Sequence, residues 1–209
     1  MNEAGWIPPT DRWTAREAEI LRVALQVLQR EGYQRLTVDE VARVARASKA
    51  TVYKRWPSKA DLVVAAFSTG VRFSATVPET GTLRGDLLQV GEQLCQHLDT
   101  HAAALRAVAF EASKDARLSS ALQQQLADAP RMVLSEVLRM ASARGEIHRP
   151  DPESDFCDLF LGYLAFRALV NGQVVPRTTV LRLVDHVLMP AFARPATAPK
   201  PELDTPGRP

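Results

Sequence analysis

From residue 14 to residue 192 the apolar side chains recur at spacings of three and four, and alternation with period two is scarce. That pattern predicts an all-α fold. The first helix is expected from about Thr14 to Glu31, with Ile20, Val23, Ala24, Val27 and Leu28 on one stripe and Gly32 as its stop. Thr37-Val38-Asp39-Glu40 has the form of a capping box and opens a short helix over 38–45. Ser48 is a good cap for a third helix over 49–56, which Pro57 ends. Ser58-Lys59-Ala60-Asp61 opens a fourth, reaching towards Phe73. After a loop at 77–81, longer helices are expected near 82–98, 102–114, 117–143, 153–172 and 177–192, about nine in total. Pro130 is expected to kink or split the helix that contains it.

These elements suggest four regions: a flexible leader at 1–13, a three-helix helix-turn-helix unit at 14–65, a helical bundle at 66–192 and a disordered tail at 193–209. The tail holds five of the 14 prolines. At 46% hydrophobic and 24% charged residues, the 209-residue chain has enough apolar content for a sizeable core. Two cysteines make no disulfide framework, no apolar run is long enough to span a bilayer, and no signal-peptide pattern opens the chain. A cytoplasmic location is therefore expected. The formal net charge of +2 says little, but its distribution is uneven: residues 37–60 hold six basic side chains against two acidic.

Two short helices joined by about three residues form a helix-turn-helix, whose second helix fits the major groove of DNA. Val38, Val41, Ala42, Ala45 and Val52 supply the packing face, while Ser48, Lys49, Thr51, Tyr53 and Lys54 supply donors and an aromatic edge on the other. Arg43, Arg46, Lys49, Lys54, Arg55 and Lys59 ring the motif where phosphates would lie. A solvated basic face on an ordinary bundle is the plainer alternative. The string Gly32-Tyr33-x-x-Leu36-Thr37-Val38-x-x-Val41-Ala42-x-x-Ala45-x-x-Ser48-x-x-Thr51-Val52-Tyr53-x-x-Trp56-x-Ser58-Lys59-x-x-Leu62 resembles the DNA-binding signature of TetR-type transcriptional regulators. The resemblance implies a regulator, most simply a repressor, that binds a palindromic operator as a homodimer and answers to a small-molecule effector. It implies that Ser48, Lys49, Thr51 and Tyr53 face the DNA from the recognition helix with Lys54 beside them. Thr37 would meet phosphate and Lys59 the DNA backbone, whereas Val52 and Trp56 pack. Arg46 is expected at a phosphate on its charge and its place in the turn, not from the resemblance. Two positions depart from the family pattern: Arg46 and Ala50 stand where glycine is frequent. An arginine at 46 carries a conformational cost if the turn is left-handed.

The helices expected at 153–172 and 177–192 are apolar on more than one face, which suits a four-helix dimer interface between two subunits. An effector pocket is expected among Phe67, Phe110, Phe160, Tyr163 and Phe166, with Arg106, Glu111, Arg167 or Asn171 as polar anchors. His97 and His101 are four apart, as in helical metal sites, but Asp99-Thr100 reads as a helix end between them, so no metal is expected. No cofactor is expected either. The phosphate-loop, dinucleotide and serine-hydrolase motifs are all missing, and Cys157 lies in an apolar stretch. A regulator is therefore expected rather than an enzyme. An interaction bundle whose basic motif no longer reads DNA, and an all-α enzyme without a motif, are the competing readings.

Overall fold

A computed structural model of the chain describes residues 12–147 and 155–193. The described residues are helical, with no strand among them. All of the proposed tail at 193–209 but its first residue, most of the proposed leader and the segment around Pro150 and Pro152 lie outside them. Helix α1, Ala15–Arg35, starts on a complete capping box: Thr14 accepts from the Glu17 backbone N–H, and Glu17 reaches back. Its buried stripe contains Ile20, Leu21, Ala24, Val27 and Leu28. Gly32, at φ 77°, breaks the regular helix where the sequence placed the stop. Helices α2 (Val38–Val44), α3 (Lys49–Arg55) and α4 (Lys59–Gly70) follow. α4 packs along α1, and Leu62, Val63, Ala66 and Phe67 are buried. Trp13, within the expected leader, packs its ring 5.8 Å from Trp56 and donates from Nε1 to Thr69 at 3.1 Å.

Helix α5, Leu83–Ala112, is the spine of the molecule; it packs against α1 and against every later helix. The break expected near residues 99–101 is not there. The hydroxyl of Thr100 donates to the Gln96 carbonyl one turn back, at 2.8 Å, so Asp99-Thr100 lies inside the helix. The buried series Leu94, Leu98, Leu105 and Val108 continues through the supposed end. Tertiary burial of that stripe outweighs the weak local stop signal. The two predicted helices at 82–98 and 102–114 are therefore one, giving eight helical runs among the described residues. As a consequence His97 and His101 share a face, with ring centroids 4.9 Å apart.

Helix α6 covers 116–143 and α8 covers 177–193; each contains a widened π-helical turn, Gln124–Asp128 and Val184–Leu188. Each turn ends two residues before a proline, Pro130 and Pro190. A proline ring clashes with the carbonyl four residues back in a regular helix, and the wider turn relieves the clash. The perturbation expected at Pro130 takes this form. α7 covers 155–170 and ends in a similar turn. The start of α5 is clamped by fully buried Asp86, which accepts from the Thr80 backbone and hydroxyl and from Arg144 at 2.8 Å.

Candidate nucleic-acid interface

The α2–α3 pair is built by local rules and then braced from a distance. Thr37 caps α2 by accepting from the Glu40 N–H at 3.2 Å. The Glu40 carboxylate does not close the box, because it bonds Arg43 at 2.8 Å and 2.9 Å. α2 ends on Ala45, and Arg46 takes the left-handed conformation with φ 50°. The Ala47 N–H donates to Ala42 O and the Arg46 N–H to Arg43 O. That bond pair defines the Schellman ending, which usually carries glycine where Arg46 stands. The turn at Gly145 closes in the same way, with φ 78°. Arg16 in α1 holds the turn in place, donating to the carbonyls of Ala45 at 2.8 Å and Arg46 at 2.6 Å.

Ser48 caps α3 and accepts from the Thr51 N–H at 3.0 Å. Val52 is fully buried and points the opposite face outward. Ser48, Lys49, Ala50, Thr51, Tyr53 and Lys54 are all exposed, Tyr53 by 47% despite its ring. An exposed tyrosine among hydroxyls and ammonium groups, on a helix held by one buried valine, forms a polar ridge free to enter a groove. Lys49 is held by Asp39 at 2.6 Å, Arg55 by Glu17 at 2.7 Å and Arg43 by Glu40. Such solvent-exposed pairs are weak and can be exchanged for phosphates. Lys59 points away from this ridge. Its Nζ lies 4.4 Å from the centre of the Tyr33 ring and donates to Gln34 O at 3.1 Å, and burial lowers its pKa.

Asp39 and Arg16 are the residues that sequence reasoning missed here. Neither carries a local signal, because each acts across ten to thirty residues of chain. The same holds for Gln34, which donates to Glu111 at 2.6 Å; that bond is the main cause of the lowered pKa of Glu111.

The nine side chains expected to line or anchor an effector pocket are not brought together. Phe67 and Phe160 are buried in the core. Phe110 is 84% exposed, and Tyr163 and Phe166 also face outward. Glu111 is buried between Gln34 and Lys114, and Arg167 is held by Tyr163 and Gln173. Only Arg106 lines a sizeable opening. This is a cleft of about 640 Å³ between α5, Gln29 of α1 and residues 168–175, across which Arg106 reaches the Ala168 carbonyl. On another face of α5, His97 and His101 are more than nine-tenths buried, and His97 Nε2 and His101 Nδ1 lack hydrogen-bond partners. No group of three or more His, Cys, Asp or Glu suited to a metal occurs among the described residues. No helix among them is long and apolar enough to cross a membrane.

Comparison with known proteins agrees with this architecture. Residues 20–66 match the family model described as bacterial regulatory proteins, tetR family, and residues 77–187 match that of the tetracyclin repressor-like C-terminal domain. The HTH-type transcriptional regulator Rv1556 of Mycobacterium tuberculosis is 47% identical over 188 residues, covering 89% of this chain and 93% of its own. A DNA-binding transcriptional repressor TetR of Mycobacteroides abscessus is 35% identical over 180 residues, covering 85% of this chain and 94% of its own. Among solved structures, that of the TetR family transcription regulator SCO0332 superposes with TM-score 0.64 at 30% identity, covering 87% of this chain and all of that one. An exposed polar ridge on a short capped helix, two matched family segments and full-length relatives establish that the chain belongs to the TetR family of DNA-binding transcriptional regulators, which are not enzymes.

Proposed function

We propose that the protein is a ligand-responsive repressor that binds a palindromic operator as a homodimer. The observation that carries this reading is α3 itself, whose only buried side chain is Val52 and whose Lys49, Thr51, Tyr53 and Lys54 are presented to solvent. In this reading Ser48, Lys49, Thr51 and Tyr53 read base edges, while Thr37, Arg46 and Lys54 bind phosphates. Lys59 reaches phosphate only by releasing Gln34, so its main part is to brace α4 against α1.

Support for a dimer comes from an apolar stripe on α7. Phe156, Leu159, Tyr163, Phe166 and Val170 are all exposed at alternating spacings of three and four, and Val187 of α8 is exposed as well. A soluble chain rarely leaves such a stripe uncovered, and a second copy would cover it by two-fold symmetry. An effector role is supported by the Arg106 cleft and by the unpartnered nitrogens of His97 and His101. An effector acts by binding one spacing of the two α3 helices more tightly than the other. The relative from Mycobacteroides abscessus, named as a repressor, supports the sign of regulation.

Selection of genomic fragments by the purified protein tests the reading. The expected product is a palindrome with half-sites about 34–36 Å apart, one turn of DNA. Lys49→Ala should then lower affinity for that sequence more than for random duplex. Recovery of no preferred sequence at moderate salt, in protein free of small molecules, would overturn it.

A further inference from the structure

A second opening lies where the N-terminal helices meet α6. It has a volume of about 490 Å³, and its walls include Trp13, Trp56, Arg12, Arg55, Arg72 and Gln125. The two indoles lie 5.8 Å apart, tilted by 45°. Trp13 spends its N–H on Thr69. Trp56 is only 3% exposed, and its Nε1–H has no acceptor. A buried donor left unpaired is destabilising and uncommon in native proteins. Trp56 is one of the residues that line the cleft, so an acceptor entering beside its buried edge would pair this N–H.

Charge around the opening is one-sided. The guanidinium groups of Arg12 and Arg55 lie 5.2 Å and 4.9 Å from the Trp13 ring centre. The charge of Arg55 is answered by Glu17. Asp61, the carboxylate in the wall, has both oxygens engaged: Oδ2 accepts from Ser58, and Oδ1 from Arg117 at 2.7 Å. Arg72 is exposed and makes no ion pair among the described residues.

From this geometry we infer that the cleft is a binding site for a planar aromatic carboxylate. The half-buried Trp13 ring in the wall suits a flat apolar body. One carboxylate oxygen accepts from Trp56 Nε1–H, and the charge is answered by Arg72 in a charge-assisted contact. A ligand there spans from the C-terminal end of α3, at Arg55 and Trp56, to Gln125 of α6, so its occupancy bears directly on the position of the recognition helix. The site is separate from the α5 positions considered above for an effector, and binding to it does not require the operator reading to hold.

The indole N–H signals give a direct test, since the chain has three tryptophans. The full-length ¹⁵N-labelled protein is titrated with 2-naphthoate and, separately, with the uncharged 2-naphthalenemethanol, after assignment by single Trp→Phe variants. 2-Naphthoate should move the Trp56 Nε1–H signal downfield in a saturable way. Arg72→Gln should weaken 2-naphthoate by about tenfold, the worth of one charge-assisted contact, and leave the alcohol unchanged. Arg72 is a surface residue, so this variant keeps the test open if Trp56→Phe fails to fold. A Trp56 signal unmoved at millimolar 2-naphthoate, equal binding of acid and alcohol, or no effect of Arg72→Gln would each overturn the proposal. So would displacement of 2-naphthoate by random duplex DNA, which would make the cleft part of the DNA surface.

Discussion

Replacing Arg46 with glycine should make the fold more stable while weakening its hold on DNA. Arg46 has φ 50°, a left-handed conformation that costs an L-residue about 1–2 kcal/mol. Glycine adopts it freely but carries about 0.5–1 kcal/mol of extra chain entropy into the unfolded state. The difference leaves a net gain of about 0.5–1 kcal/mol. No backbone bond is lost, since the turn is closed by main-chain bonds and Arg16 grips the carbonyls of residues 45 and 46. In a chain of this size that gain raises Tm by roughly 1–4 °C. Arg46→Ala removes the same charge but keeps the left-handed cost, so its Tm should stay near that of the parent. Both variants should lower the slope of log affinity against log salt by about one unit if Arg46 meets a phosphate. Thermal unfolding and anisotropy titrations at several salt concentrations separate the two effects. Equal stability of the glycine and alanine variants would refute the conformational account, and an unchanged salt slope would refute the phosphate contact.

Three further outcomes are expected. Gly91→Ala places a methyl group 2.4 Å from Val180 Cγ1 and 3.1 Å from Phe160 Cζ, within the α5–α7–α8 core; overpacking should cost about 1–3 kcal/mol in urea unfolding, and a neutral result would mean the core yields more readily than its contacts imply. Burial, with His101 beside it, lowers the pKa of His97 to about 4 from 6.5. The unfolded chain therefore takes up the proton first, so stability is steady above about pH 6.5 and falls as pH drops towards 4. His97→Leu should flatten that fall, and an unchanged pH profile would assign the loss to other groups. Phe166→Glu puts a charge in the middle of the exposed α7 stripe and should yield monomers in sedimentation while α-helical circular dichroism is retained; intact dimers would move the interface elsewhere.

Much of the DNA-facing half is legible in the sequence because its signals are short-range. A cap and the N–H it satisfies are three residues apart, as for Thr37 and Glu40, Ser48 and Thr51, and Ser58 and Asp61. The left-handed turn at Arg46 closes within six residues. Apolar spacing alone fixes Val52 as the buried side chain of α3, and hence which of its neighbours face outward.

What lay beyond the sequence depends on how helices far apart in the chain meet. Asp99-Thr100 looked like an end because local preference is weak, and burial of the stripe from Leu94 to Val108 overrode it. The aromatic set chosen for a pocket was scattered because a small rotation of a helix decides whether a ring faces core or solvent. Phe160 is buried while Tyr163, three residues later, is not. Arg16 on the 45–46 turn, Gln34 on Glu111 and Arg117 on Asp61 join residues 29 to 77 positions apart. No periodicity records such pairings. They follow from the packing of α1, α4 and α6 around α5, and that packing also sets the unpartnered indole of Trp56 in the wall of a cleft.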